Sequence, residues 1–205
     1  MKILLLYSPR SGSTSIMKYF GKVRPEFVII NQPWSKWGKT KILSLEELSI
    51  HENLFVKNEI SWLDPAIKYK HPKLPTIPNV ISFFDKIIIL SRKNIDEQAL
   101  SLYFAEENDS HDSTDFQIYN TSLLKKDKYE LHKDKLLKTN NFISEYFENK
   151  FTHYYYEDLY FGTFTNLFKE LEISFDEECF NQILNISMKY KVGEINKNKE
   201  TKSII

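Results

Sequence analysis

The chain has 205 residues, 41% of them hydrophobic, and its 28 basic side chains balance 28 acidic ones. That length suits one well-buried core rather than two large domains, and zero net charge gives no global pull towards nucleic acid or an anionic membrane, so any anion site has to be local. The single cysteine, Cys179, rules out an intramolecular disulfide and a cysteine metal cluster, and no His/Cys/Asp spacing is typical of zinc. The longest apolar run near the start, Ile3 to Leu6, is far too short for a signal sequence or a membrane span. These features predict a cytoplasmic protein of one domain, residues 1–205, without a metal.

In chain order, Lys2 to Tyr7 reads as a strand that runs into Ser8-Pro9-Arg10-Ser11-Gly12-Ser13-Thr14, with a helix from about Gly12. A strand, turn and helix in this sequence aim several backbone N–H groups and the positive end of a helix dipole at one spot. Ser8, Ser11, Ser13 and Thr14 add hydroxyl donors, Gly12 permits close approach of the backbone, and Arg10 supplies a planar fork for tetrahedral oxyanions. The turn is therefore predicted to bind phosphate; the plain alternative is a Pro/Ser/Gly turn that only caps a helix.

Further strands are predicted at Phe27 to Ile30, Leu54 to Lys57, Ile87 to Leu90 and Phe151 to Tyr156, with helical patterns between most of them. The alternation predicts an α/β fold of three layers, α/β/α, around a central, largely parallel sheet. Asn31 to Asn53 and Glu106 to Asn120 lack periodicity and read as long loops of the kind that wall a site. Trp34, Trp37 and Trp62 either line an acceptor pocket or fill the core. Asn94 followed by Glu97 is an N-terminal capping pair for a helix through Ala99, Leu102 and Phe104, with Ser101 two turns in. A Lys-rich helix from about Thr121 to Asn149 shows Tyr129, Leu136, Ile143 and Phe147 as a core stripe. Helices at Thr163 to Leu171 and Asp176 to Tyr190 follow, and residues 191–205 read as a polar, mobile tail.

Lysine outnumbers arginine by 25 to 3, and two of the three arginines, Arg10 and Arg92, stand at the ends of predicted strands. That edge is where an α/β sheet presents its ligands, and bidentate recognition of phosphate does not accept lysine in place of arginine.

Several of these segments together resemble the sulfotransferases that use 3′-phosphoadenosine 5′-phosphosulfate (PAPS). Ser8 to Thr14 is similar to the family's 5′-phosphosulfate loop. Arg92, with Gln98-Ala99-Leu100-Ser101 nine positions to its serine, is similar to the 3′-phosphate segment with the spacing of the bacterial glycolipid type. Tyr156-Glu157-Asp158-Leu159 looks like the tetrapeptide that closes a late strand in many members. Leu54 to Glu59 looks like the strand whose lysine is followed two residues later by a catalytic histidine, except that this chain carries Glu59 there. The family's aromatic residue after the loop is replaced by Ser15, and its late Arg-Lys-Gly element is not recognisable; Lys197, Lys199 and Lys202 are candidates to replace it.

The resemblance implies transfer of a sulfuryl group from PAPS to a hydroxyl or amine of a small-molecule or glycan acceptor, releasing 3′-phosphoadenosine 5′-phosphate (PAP) without a metal. It assigns Ser8, Pro9, Arg10, Ser11, Gly12, Ser13, Thr14, Arg92 and Ser101 to the nucleotide, and Arg10, Lys57 and Glu59 to catalysis, with His51 as a rival base. Two other functions stay open. A nucleotide phosphotransferase shares the strand–loop–helix site, although the Gly-Lys-Ser/Thr of a Walker loop is absent and Ser91-Arg92 stands where a metal-holding carboxylate would end a neighbouring strand. A non-catalytic nucleotide-binding relative is the other. A cysteine phosphatase is excluded, since no cysteine precedes the loop.

Overall fold

The computed structural model describes residues 1–35, 42–64, 71–107, 124–147, 150–160, 162 and 164–188. β1 (Lys2–Tyr7), β3 (Leu54–Glu59) and β4 (Lys86–Ser91) are buried almost throughout, whereas β2 (Val28–Asn31) and β5 (Thr152–Tyr155) are more open. The pattern is that of a parallel sheet covered on both faces, with the open strands at its edges. All four pairings are parallel and the order is β2-β3-β1-β4-β5. Each strand predicted from the sequence forms, β1 with its predicted bounds and the others with bounds shifted by at most two residues.

Side-chain alternation sorts the core. Ile3, Leu5, Tyr7, Phe55, Ile88 and Leu90 face one side, where they pack with Ile16, Tyr19 and Phe20 of α1 (Ser13–Val23), Leu167 and Phe168 of α7 (Thr165–Glu170) and Phe180 of α8 (Glu177–Met188). Leu4, Leu6, Leu54, Val56, Ile87 and Ile89 face the other, against Leu48 of α2 (Leu45–Ser49), Val80 of α3 (Ile77–Phe83) and Phe142, Ile143 and Phe147 of α5 (Lys126–Phe147). α4 (Ile95–Glu107) joins α5 through Ala99, Leu102 and Leu136. The three layers match the expectation.

Two local readings are corrected, and one open alternative is decided. The stretch from Asn31 to Asn53 is not irregular throughout: Ser44 and Glu47 form a reciprocal capping box that starts α2. The Tyr156 to Leu159 tetrapeptide does not end a strand but opens α6 (Tyr156–Tyr160). Trp34 lies wholly in the core, its indole N–H donated to the Leu43 carbonyl, and so does not line a pocket. Trp37, most of Glu106 to Asn120, and the lysines 197, 199 and 202 lie outside the described residues. Among the described residues no helix is long and apolar enough to cross a membrane.

The parallel register sets the site. Tyr7 stands opposite Glu59 and Leu90, so β1, β3 and β4 end on the same edge of the sheet. Strand order reverses around β1: the chain runs to β2 and β3 on one side and then crosses to β4 on the other. Such a switch point opens a crevice at the carboxyl ends of the strands.

Candidate active site

The turn after β1 is wound around two left-handed residues, Arg10 at φ 61° and Gly12 at φ 80°. Alternating backbone conformations of this kind bring successive N–H groups to one side and make an anion-binding concavity. Among the described residues no side chain caps α1, and its first turn carries no acidic residue, so the N–H groups at its start keep their capacity to bind an anion. Ser11 is only 1% exposed, and its hydroxyl is buried without a hydrogen-bond partner among the described residues. An orphaned donor in a concavity of N–H groups fits an oxyanion, because a buried polar group without a partner costs free energy.

Two further side chains brace the loop. Tyr160 of α6 donates its hydroxyl to the Gly12 carbonyl at 2.8 Å, and burial, partly offset by a hydrogen bond with Ser15, holds the phenol protonated. Gln98 of α4 donates to the Ser8 hydroxyl at 2.7 Å and to the Pro9 carbonyl. Arg10 Nε donates to Ser101 Oγ at 3.0 Å. Helix α4 is thereby fastened to the loop at two points a turn apart.

β3 contributes Lys57 and Glu59, which share a face by the two-residue repeat of a strand. Lys57 is 3% exposed; its ammonium lies 4.9 Å from the centroid of the Tyr7 ring and donates to Thr14 Oγ1 at 2.9 Å. A desolvated cation is costly to bury, and this one is directed at the first turn of α1. The intervening Asn58 turns to the opposite face, where its Oδ1 accepts the Trp34 N–H at 3.3 Å. Glu59, half-buried at the end of β3, accepts the Ser61 hydroxyl. His51 precedes β3, whose six residues span about 20 Å, so it sits beyond the opposite end of the strand from Glu59.

Arg92 follows β4 and its side chain is 9% exposed. Its guanidinium lies over the Tyr156 ring at 4.5 Å and meets Glu97 at 3.1 Å and Glu157 at 3.4 Å. Glu157 also accepts the backbone N–H groups of Lys93 and Asn94, at 2.9 and 3.2 Å. Burial pushes its carboxyl up, but those N–H groups and Arg92 outweigh burial and hold it below the usual carboxylate range. Sequence reading finds Arg92 and misses its partners, as it misses Tyr160 on Gly12 and the role of Gln98. The one available signal for Gln98 was its place in the motif that carries Ser101.

The Gln98 amide is fully buried. Gln98→Ala is expected to lower the unfolding free energy by about 1–3 kcal/mol, since Ser8 and Pro9 lose a donor together. Urea denaturation measures this, and a change below about 0.5 kcal/mol, the level of a neutral surface substitution, would remove the amide from the brace.

The structure aligns with the crystal structure of mouse sulfotransferase SULT7A1 complexed with PAP over 93% of this chain and 67% of that chain, at a TM-score of 0.58 and 14% sequence identity. The chain has the sulfotransferase fold. At that identity the likeness is one of architecture, and comparison of the sequence with protein families and with curated proteins finds no match. In the sulfotransferase fold of this chain, the turn after β1, the end of β3 and the turn after β4 converge on one sheet edge.

Proposed function

We propose that this chain transfers a sulfuryl group from PAPS to a hydroxyl or amine of a small-molecule or glycan acceptor, with PAP as the other product. One observation carries the reading: the loop after β1 is fastened by the Arg10–Ser101 and Gln98–Ser8 hydrogen bonds to α4, the helix that follows Arg92. A nucleotide with phosphates on both its 5′ and 3′ positions presents two anions, one to match the loop and one to match Arg92. The fold-level likeness to a sulfotransferase crystallised with PAP supports the same reading.

PAPS supplies the activated sulfuryl group, and the chain's residues do the rest. The N–H groups of Ser11 to Thr14, the Ser11 hydroxyl and the guanidinium of Arg10 hold the 5′ anion. Lys57 and Arg10 meet the negative charge that develops on the departing phosphate oxygen; in a water-poor site such preorganised donors count for more than in solution. The Arg92 fork holds the 3′-phosphate, with the Ser101 hydroxyl beside it. Glu59 takes the acceptor's proton. Pro9 and Ser13 shape the loop, and Ser8 is its anchor to α4.

The test is a thermal shift with PAP, ADP and ATP–Mg²⁺. At about 100 times its dissociation constant PAP should stabilise the fold by about 2.7 kcal/mol. For a chain of this size that is a rise of roughly 5–10 °C in Tm. ADP should do much less, and Arg92→Ala should abolish the difference. Equal shifts with PAP and ADP, or a shift with ATP–Mg²⁺ alone, would overturn the proposal.

A further inference from the structure

Arg92 is held by two carboxylates of different character. Glu157 is 20% exposed and built into the turn, since it accepts the Lys93 and Asn94 N–H groups as well as Arg92 Nε. Glu97 is 65% exposed and reaches Arg92 Nη2 with one oxygen at 3.1 Å.

The position of Glu97 explains why it points there. Asn94 caps α4 by accepting the Glu97 N–H at 3.1 Å, which makes Glu97 the third helical residue. A glutamate at that position ordinarily folds back onto the N–H of the cap residue. Here the Asn94 N–H is already donated to Glu157 at 3.2 Å, so the Glu97 carboxylate is released from the cap and lies on the guanidinium instead.

We propose that Glu97 is a resident counter-anion that occupies Arg92 in the ligand-free protein and competes with the 3′-phosphate of the nucleotide, weakening PAP and hastening its departure. The inference rests on the PAPS reading of this site. A 3′-phosphate offers two charges where Glu97 offers one, so it displaces the carboxylate; Glu97, exposed and on a flexible stem, turns out into water. Glu157 cannot yield in this way without unmaking the turn that presents Arg92. A nucleotide with a 3′-hydroxyl leaves the Glu97–Arg92 pair undisturbed.

The two carboxylates therefore have opposite predicted signs. Glu97→Gln keeps the volume and an acceptor for Arg92 but removes the competing charge; PAP should bind roughly three- to tenfold tighter and dissociate correspondingly more slowly, with ADP unchanged. The gain should shrink as salt is raised, because the competing charge is exposed. Glu157→Gln should instead weaken PAP. Calorimetry and stopped-flow displacement on the full chain read both. If PAP binds the wild-type protein through Arg92 and Glu97→Gln leaves its affinity and off-rate within twofold, the counter-anion role is wrong while the PAPS reading stands. If PAP binds the wild type no better than ADP, and Arg92→Ala changes neither, the PAPS reading is wrong and takes this inference with it.

Discussion

Glu59→Gln is expected to lower turnover by about 100- to 10,000-fold, the usual contribution of a positioned acid–base group, while PAP binds within about twofold of the wild type. Glutamine keeps the shape of the side chain and an oxygen that can accept the Ser61 hydroxyl, so the change is confined to proton acceptance. Among the described residues two other candidate bases can be set aside. His51 lies beyond the other end of β3, and the Tyr7 phenol, in register with Glu59, is held protonated by burial and then by the negative charge of Glu59. Transfer of radiolabelled sulfur from PAPS into a pool of phenols, amino sugars and glycans gives the rate, and a PAP titration gives the binding. Turnover within threefold of wild type would remove Glu59 from the reaction. Loss of both turnover and binding would mean that its charge holds the pocket together rather than moving a proton.

Gly12→Ala is expected to be the most damaging single change in the phosphate loop. At φ 80° an alanine is strained by about 1–2 kcal/mol. Its methyl would also stand 2.5 Å from Tyr160 Cε2 and 2.6 Å from the Tyr160 hydroxyl oxygen. That ring has little room to retreat, since it stacks on Tyr156 at 4.3 Å, meets Phe164 edge-on at 4.9 Å and is hydrogen-bonded to Gly12 itself. Overpacking of this kind adds about 1–3 kcal/mol. Urea denaturation should show the combined loss, and the PAP-dependent thermal shift should vanish because the N–H groups of the loop turn away. A double-mutant cycle with Tyr160→Ala isolates the clash: the two changes together should cost less than their sum, and strict additivity would mean that the ring moves aside freely.

The parts of the site that were legible in the sequence are the parts made by neighbours along the chain. Ser8 to Thr14 reads as a phosphate loop because the strand, the glycine and the helix start are contiguous, and the structure adds the left-handed conformations of Arg10 and Gly12 without changing the reading. The capping pair at Asn94 and Glu97 is half correct. Asn94 caps the helix, but the reciprocal bond is absent because Glu157, from a distant segment, has taken the N–H. The short helices α2 and α3 have too few turns to establish a 3.6-residue repeat in the sequence. The strand predicted to reach Tyr156 stops one residue earlier, where the chain turns into α6.

By itself the sequence determined the class of the fold, the strand–turn–helix at Ser8 to Thr14 and the two arginines at strand ends, because strand and helix periodicity and turn chemistry are local properties of the chain. Only the tertiary structure decided what those arginines and that loop touch. Gln98 meets Ser8 across 90 positions, Arg10 meets Ser101 across 91, and Tyr160 meets Gly12 across 148. The parallel register of β1 with β3 and β4 decided that Glu59 and Arg92, and not His51, come to the edge with the loop. Contacts of that kind depend on which strands pair and on which face each side chain emerges, and pairing is settled by burial of the whole sheet rather than by any one segment.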